Sequence, residues 1–327
     1  MEPTRVKLQG YRDFYLDTDY INANYISGEI PGSERAYISC QAPLPNTLLH
    51  FWLMMWENNS SVIVMLTRLV ERDRQKAIPY WPENVGDSRR FGSIVVTHRK
   101  SKNINSFLEM RTFEVERDGV KRQIVQFHYT EWPDFGIPDT TKTTRELVCW
   151  MDLYRMKGAM AGLNGPVVTH CSAGVGRTGT FLAVHICLEK MKFYNSLDQV
   201  NIPRTVLLLR QSRTGMVQTA EQYQFIYEVL KDARDELREK APRIFALPTS
   251  PASPSSACAS LSTSSGIDSS PERTKHTGLK RGFTDLQISI QLQRNGSNCS
   301  SETMVEEDRK EKSFTTEKKR RLSFSTC

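Results

Sequence analysis

Residues 166–179 have the sequence PVVTHCSAGVGRTG, and this stretch decides the fold. Its first five residues, 166–170, are Val-rich and typical of a buried central strand, while a helical pattern begins near Thr178. Between these two patterns lie Cys171, five further residues and Arg177. The sequence therefore predicts a strand, a glycine-bearing loop and a helix N-terminus in immediate succession.

A loop of this kind suits a phosphate group. Successive backbone N–H groups point inward, and the helix dipole adds partial positive charge where the anion lies. Gly174 and Gly176 let the backbone approach closely. The same field favours the nucleophilic thiolate form of Cys171. The candidate phosphate-binding residues are Ser172, Ala173, Gly174, Val175, Gly176 and Arg177.

Arg177 supplies a planar fork that can hold two oxygens of a transferring phosphoryl group. His170, Ser172 and Thr178 are candidates for hydrogen bonds that tune the cysteine. The alternative interpretation is a glycine-rich strand-to-helix turn with a buried structural cysteine, because free cysteine is often buried.

The ten residues 170–179 match the signature of the classical non-receptor protein tyrosine phosphatases, which the chain resembles. DYINANYI at 19–26 resembles the second motif of that family, and residues 41–57 follow its Q-x-P-L-x-x-T…F-W-x-M-x-W-E pattern. The resemblance covers about residues 4–237. It implies one α/β domain with a highly twisted mixed β-sheet flanked by helices, and chemistry without a metal or organic cofactor.

The resemblance also implies how phosphotyrosine would be hydrolysed. Cys171 would attack phosphorus to form a cysteinyl-phosphate, and Asp134 in the segment Trp132-Pro133-Asp134 would be the general acid, with Trp132 anchoring a closing loop. Gln218 would orient the water that releases phosphate, and Gln222 would assist. From the residues alone, Asp134 would be interpreted as a turn aspartate.

Four supporting residues are likewise implied by the resemblance. Glu71 matches a glutamate that pairs with the signature arginine, and Lys76 matches a lysine that meets the acidic loop. Arg210 and Arg213 match arginines that precede the glutamine loop. The alternative for these charges is a solvated surface.

Two departures from the family pattern bear on function. An Asn-Arg-Tyr segment is expected before Thr4-Arg5-Val6, and the chain begins three residues before Thr4, so we expect a shortened form without the tyrosine that walls the substrate slot. Phe135 follows Asp134 where many members have histidine. Because a shortened pocket or a less stable fold could fail to align the substrate, a phosphotyrosine-binding pseudophosphatase is kept as the alternative function. A dual-specificity phosphatase is disfavoured by the long motif series.

The chain divides by composition into a catalytic domain, 1–240, and a Ser/Pro-rich, then charged tail, 241–327, which is expected to be disordered. Helices are predicted at 47–58, 141–157, 178–194 and 220–240, and strands at 36–39, 62–66, 94–97, 107–115, 121–129 and 166–170. The tail contains Ser-Pro pairs and Arg320-Arg321-Leu322-Ser323, which suit Ser/Thr kinases.

The composition limits location and partners. The opening residues lack an apolar segment, which predicts a cytoplasmic protein, and the basic run from Lys318 to Arg321 adds a possible nuclear-import signal. The seven cysteines show no C-x-x-C pair, so neither a disulfide framework nor a zinc site is expected. The net charge of +7 is compatible with nucleic acid, phosphate-bearing proteins or acidic lipid surfaces and does not choose among them. The family resemblance implies tyrosine-phosphorylated proteins as partners, and nucleic acid is not expected.

Overall fold

The computed structural model describes residues 2–10, 18–134 and 136–240. Its strands are β1 (Arg5–Lys7), β2 (Tyr20–Ile26), β3 (Tyr37–Cys40), β4 (Val62–Met65), β5 (Val70–Glu71), β6 (Arg74–Gln75), β7 (Ser88–Phe91), β8 (Ile94–Asn103), β9 (Leu108–Arg117), β10 (Val120–Tyr129) and β11 (Val167–His170). Its helices are α1 (Leu48–Glu57), α2 (Lys142–Met160), α3 (Gly176–Tyr194), α4 (Ile202–Ser212) and α5 (Ala220–Lys240).

Nine of the described strands form one mixed sheet in the order β1-β2-β3-β11-β4-β10-β9-β8-β7, and β5 pairs with β6 in a separate hairpin. The central strands β3, β11, β4 and β10 run parallel. Strands β3, β4 and β11 are buried along their whole length, as expected of parallel strands covered on both faces. The family-derived expectation of a mixed sheet flanked by helices is confirmed.

The register of the central strands determines where the loop after β11 emerges. His170 pairs with Cys40 on one side and with Met65 on the other. Because these strands are parallel, their carboxyl ends meet at one edge of the sheet, where α/β folds place their binding crevices. Cys171 is therefore the first residue beyond that edge.

Aromatic packing fixes the strands around this edge. Trp52 of α1 is fully buried and donates from Nε1 to the Tyr80 carbonyl oxygen at 2.9 Å. Phe51 contacts the Tyr80 ring at 4.7 Å between centroids and the His170 ring at 6.2 Å. Helix α3 is buried over most of its length, because it passes through the core behind the loop.

The predicted helices and strands are all present, with shifted ends. The largest extension is in β8, which continues to Asn103 instead of ending at Thr97. Helix α4 was not predicted, although Asn201 caps it by accepting from the Arg204 backbone N–H at 2.9 Å and Pro203 lies in its first turn, where proline is tolerated.

The predicted tail, 241–327, lies outside the described residues, together with its kinase sites and its basic run. These remain predictions, as do the domain boundary and the cellular location. Among the described helices, none is both long enough and apolar enough to cross a membrane.

Candidate active site

The loop between β11 and α3 closes around Cys171, which is 4% exposed. The Gly174 backbone N–H donates to the sulfur atom at 3.3 Å. Gly174 has φ +70°, and a Cβ there would overlap the carbonyl oxygen of Cys40 on β3. Glycine at this position therefore provides both the left-handed backbone and the close contact with the neighbouring strand.

Arg213, at the end of α4, holds the loop from outside. Its Nε donates to the Gly174 carbonyl at 2.9 Å and its Nη2 to the Ala173 carbonyl at 3.0 Å, while its Nη1 donates to Asn24 Oδ1 at 2.8 Å. In a trans peptide the N–H points away from the C=O, so carbonyls turned toward Arg213 leave the N–H groups of Gly174 and Val175 facing inward. The loop is thereby organised to bind an anion.

Arg177 is held in place by hydrogen bonds to three residues, Glu71, Trp132 and Asp134. Its Nη1 and Nη2 donate to the two carboxylate oxygens of Glu71 at 2.7 and 3.0 Å, and Nη1 also donates to the Trp132 carbonyl at 2.9 Å. The guanidinium side chain is only 3% exposed. Bidentate pairing of this kind fixes the plane of the fork. The predicted contact between Glu71 and the signature arginine is present.

The environment of Glu71 keeps it ionised. Burial alone would raise its pKa, but the hydrogen bonds and charge of Arg177 outweigh burial and lower it, with help from the Arg68 backbone N–H and the Thr67 hydroxyl. These two groups donate to Oε1 at 3.1 and 2.9 Å. The negative charge of Glu71 stabilises the buried Arg177, because a buried guanidinium without a partner would destabilise the fold.

Asp134 lies against two cations. It accepts a hydrogen bond from Lys76 Nζ, as predicted, and another from Arg177 Nη2 at 3.0 Å. Burial favours a higher pKa for this carboxyl, but Lys76 and Arg177 together lower the pKa below its ordinary value. Trp132 anchors the segment by donating from Nε1 to the Gly136 carbonyl at 3.0 Å and contacting the Phe225 ring of α5 at 5.5 Å. Phe135 is outside the described residues.

The two glutamines lie beside the start of α3. The Gln218 backbone N–H donates to Gln222 Oε1 at 3.0 Å, and Gln222 is 1% exposed. A Cβ at Gly176 would overlap Oε1 of Gln218, so glycine makes room for that side chain. Arg210 holds the preceding turn by donating to the Met216 and Val217 carbonyls, each at 2.9 Å. The structure thus brings Gln218 and Gln222 to the loop.

Among the described residues, the three predicted tuning residues make no hydrogen bond to the sulfur atom. Ser172 Oγ donates to the Lys76 carbonyl at 2.9 Å. His170 contacts the Cys171 carbonyl at 2.9 Å and the Tyr80 hydroxyl at 2.8 Å, and burial lowers its pKa to about 4. Thr178 is buried in the first turn of α3. Among the described residues, the hydrogen bond to the sulfur atom comes from Gly174.

A family model described as protein-tyrosine phosphatase matches residues 1–232. The chain belongs to the protein-tyrosine phosphatase family. The resemblance to the non-receptor type is also confirmed, because relatives named as non-receptor phosphatases match this chain at 37% to 39% identity. Tyrosine-protein phosphatase non-receptor type 4 of Homo sapiens is 38% identical over 238 residues, covering 72% of this chain and 24% of the relative.

Further relatives extend this likeness within the protein-tyrosine phosphatase family. Tyrosine-protein phosphatase 3 of Dictyostelium discoideum is 42% identical over 241 residues, 72% of this chain and 24% of that protein. A solved structure described as the structural basis of a PTPN18 fingerprint on distinct HER2 tyrosine phosphorylation sites has a TM-score of 0.64 and 32% identity, covering 71% of this chain and 79% of that one. The chain spans about a quarter of the two full-length relatives quoted.

Sequence reasoning missed several supporting residues in this family member. Ser39 donates to the Gly174 carbonyl at 2.9 Å, Asn24 accepts a hydrogen bond from Arg213, and the Tyr80 hydroxyl contacts the His170 ring. Asn24 lies within DYINANYI and Tyr80 begins the segment YWP at 80–82, so the family motifs already contained both residues. Their contacts with the loop could be recognised only from the tertiary structure.

Proposed function

We propose that this protein hydrolyses phosphotyrosine in proteins through a cysteinyl-phosphate intermediate. One observation carries the proposal: the Cys171 sulfur, the bidentate Arg177–Glu71 pair and the Asp134 carboxyl converge at one edge of the sheet. A nucleophile, an anion clamp and a candidate general acid are the parts that this reaction requires.

In the first step, the Cys171 thiolate attacks phosphorus and the bond from phosphorus to the tyrosine oxygen breaks. Arg177 and the inward N–H groups bind the equatorial oxygens, and Asp134 gives its proton to the departing tyrosine oxygen. A phosphate dianion competes with Asp134 for Arg177 Nη2. Once that contact is replaced, the Asp134 carboxyl loses one of the two cations that lower its pKa, which favours its protonated form.

In the second step, water attacks phosphorus, the sulfur–phosphorus bond breaks, and the thiolate is regenerated. Asp134 accepts the proton of the attacking water. Gln218 orients that water, since its side chain lies beside Gly176 at the rim of the loop and Gln222 supports its backbone. Phosphate is the second product after tyrosine.

The proposal is tested by measuring phosphate release from a phosphotyrosine peptide and from a small aryl phosphate. We expect turnover by the wild-type chain, complete loss in Cys171→Ser, and a loss of about 10²- to 10⁴-fold in Asp134→Ala, the usual contribution of general acid catalysis. Lys100→Ala, an exposed substitution on β8, is the control. A folded wild-type chain that binds the peptide without releasing phosphate would overturn the proposal in favour of the binding module.

A further inference from the structure

The hairpin β5–β6 stands directly beside the candidate active site and is tied to it at both ends. At one end Glu71 accepts both bonds from Arg177, and just beyond the other end Lys76 Nζ bonds to Asp134. The Lys76 backbone N–H also donates to the Leu69 carbonyl at 2.8 Å, which closes the base of the hairpin. The hairpin therefore has a fixed position relative to the catalytic loop.

The turn of this hairpin has an unusual backbone. Its central residues, Arg72 and Asp73, have φ of +49° and +60°. Two-residue hairpin turns of type I′ require positive φ at both positions and favour asparagine or glycine there. Non-glycine residues in this region cost energy and persist only where the surrounding structure enforces the conformation, and such strain concentrates at functional sites. An arginine at the tip is therefore an exception that calls for a reason.

The charges of the hairpin are strongly asymmetric. Arg68, Arg72 and Arg74 are exposed, and the exposed carboxylate among residues 68–76 is that of Asp73. The side chains of Arg72 and Arg74 make no hydrogen bond or ion pair within the described ranges. Arg74 is the cross-strand partner of Glu71. Cross-strand partners project from the same face, so Arg74 shares the face that carries the Arg177 contact.

We propose that this hairpin recognises anionic side chains that flank the phosphotyrosine, so that the preferred substrates are acidic phosphopeptides. The inference rests on the proposed function. A guanidinium group binds a carboxylate or a phosphate through paired N–H donors, and free arginines need break no existing pair to do so. An extended peptide advances about 3.3 Å per residue, so a side chain a few positions from the phosphotyrosine reaches the hairpin.

The test compares kcat/KM for three phosphotyrosine peptides that differ only in flanking residues: aspartate and glutamate, their amides, or phosphoserine. We expect the wild-type chain to prefer the anionic peptides by roughly three- to tenfold at low salt, as for a few exposed ion pairs, and less at high salt. The double variant Arg72→Gln/Arg74→Gln should lose most of this preference through a higher KM for the anionic peptides.

The matched control is Arg90→Gln/Lys100→Gln. It removes the same charge from exposed positions on β7 and β8, the last two strands of the nine-stranded sheet, which are not part of the β5–β6 hairpin. It should keep the wild-type preference. A preference for both anionic peptides identifies a carboxylate as sufficient, and a preference for phosphoserine alone identifies phosphate. The proposal is overturned if the wild-type chain shows no preference or if the control loses as much as the hairpin variant.

A separate binding measurement distinguishes this proposal from the proposed function. If the wild-type chain releases no phosphate from any peptide or aryl phosphate, the catalytic proposal fails. The affinities of the Cys171→Ser chain for the same three peptides then decide the recognition proposal. Tighter binding of the anionic peptides that disappears with the hairpin substitutions sustains it, and equal affinities overturn it.

Discussion

Asp134 is bound by two cations, Lys76 and Arg177, and a phosphoryl group would displace it from only one of them. Lys76 therefore continues to lower the pKa of the Asp134 carboxyl when substrate is bound. We expect Lys76→Met to raise this pKa and to move the descending, high-pH limb of kcat/KM toward higher pH, because a general acid has to be protonated. The pH profile with a small aryl phosphate measures the shift.

Lys100→Met is the control for this prediction, because it removes a lysine from an exposed position on β8. It should leave the limb at the wild-type pH. Lys76→Met could also leave the high-pH limb of kcat/KM at the wild-type pH while Asp134→Ala removes that limb. In that case the lysine does not act on the general acid, and its role is structural.

Single residues of the candidate site differed in how far the sequence could predict them. Cys171, Arg177 and the glycines belong to one continuous loop, and the family pattern adds Glu71 and Asp134 at recognisable positions. The contacts of Arg213 with the Ala173 and Gly174 carbonyls have no local signal, because they depend on how α4 packs beside the loop. The residue that supports the outer side of the anion-binding loop is therefore positioned by tertiary packing, which the spacing of residues in the sequence does not reveal.

Helix α4 shows the same limit at the scale of elements. The helices were predicted from apolar spacing without proline, so Pro203 in the first turn of α4 concealed this helix, although Asn201 and Pro203 form an ordinary helix start. Strand β7 was not predicted. Its residues are mostly exposed and show no apolar pattern, and it forms a strand because it pairs with β8. The strands buried on both faces were predicted well, since a Val-rich run needs no knowledge of its partner.

The cap of α4 can be tested directly. Asn201→Ala removes the side-chain acceptor for the Arg204 backbone N–H, and we expect it to lower the free energy of unfolding by about 1 kcal/mol. Asn201→Asp keeps an acceptor and should remain close to wild type. Urea unfolding followed by fluorescence measures both variants. Equal losses in the two would show that the side-chain bond does not stabilise the helix start.

The whole molecule assembles the site from segments that are distant in sequence. Glu71 follows β4, Asp134 follows β10, Cys171 follows β11, and Gln218 precedes α5. Parallel pairing of β3, β11, β4 and β10 brings the first three to one sheet edge. The site therefore exists only when the sheet is fully formed. Conditions that destabilise the central strands should remove activity and structure together.

Low pH is such a condition, because two buried histidines lie at or next to the carboxyl ends of central strands, His170 in β11 and His128 in β10. Burial lowers the pKa of His170 to about 4, and burial with the charge of Arg111 lowers that of His128 to about 4. Their ordinary pKa is about 6.5, so below that value the unfolded chain binds protons that the native chain does not. Their contribution to stability is therefore complete above about pH 6.5 and is lost as the pH falls toward about 4.

We expect the free energy of unfolding to fall by about 2 kcal/mol per histidine between about pH 7 and 5, before most carboxylates titrate. His128→Gln should remove about half of this dependence. An amide can replace both contacts of the ring, by donating to the Thr67 carbonyl and accepting from Arg111. Urea midpoints at several pH values measure the slope. A stability that is flat over this range, or a His128→Gln slope equal to that of wild type, would contradict the assignment, because a histidine that is protonated inside the native sheet adds no such dependence.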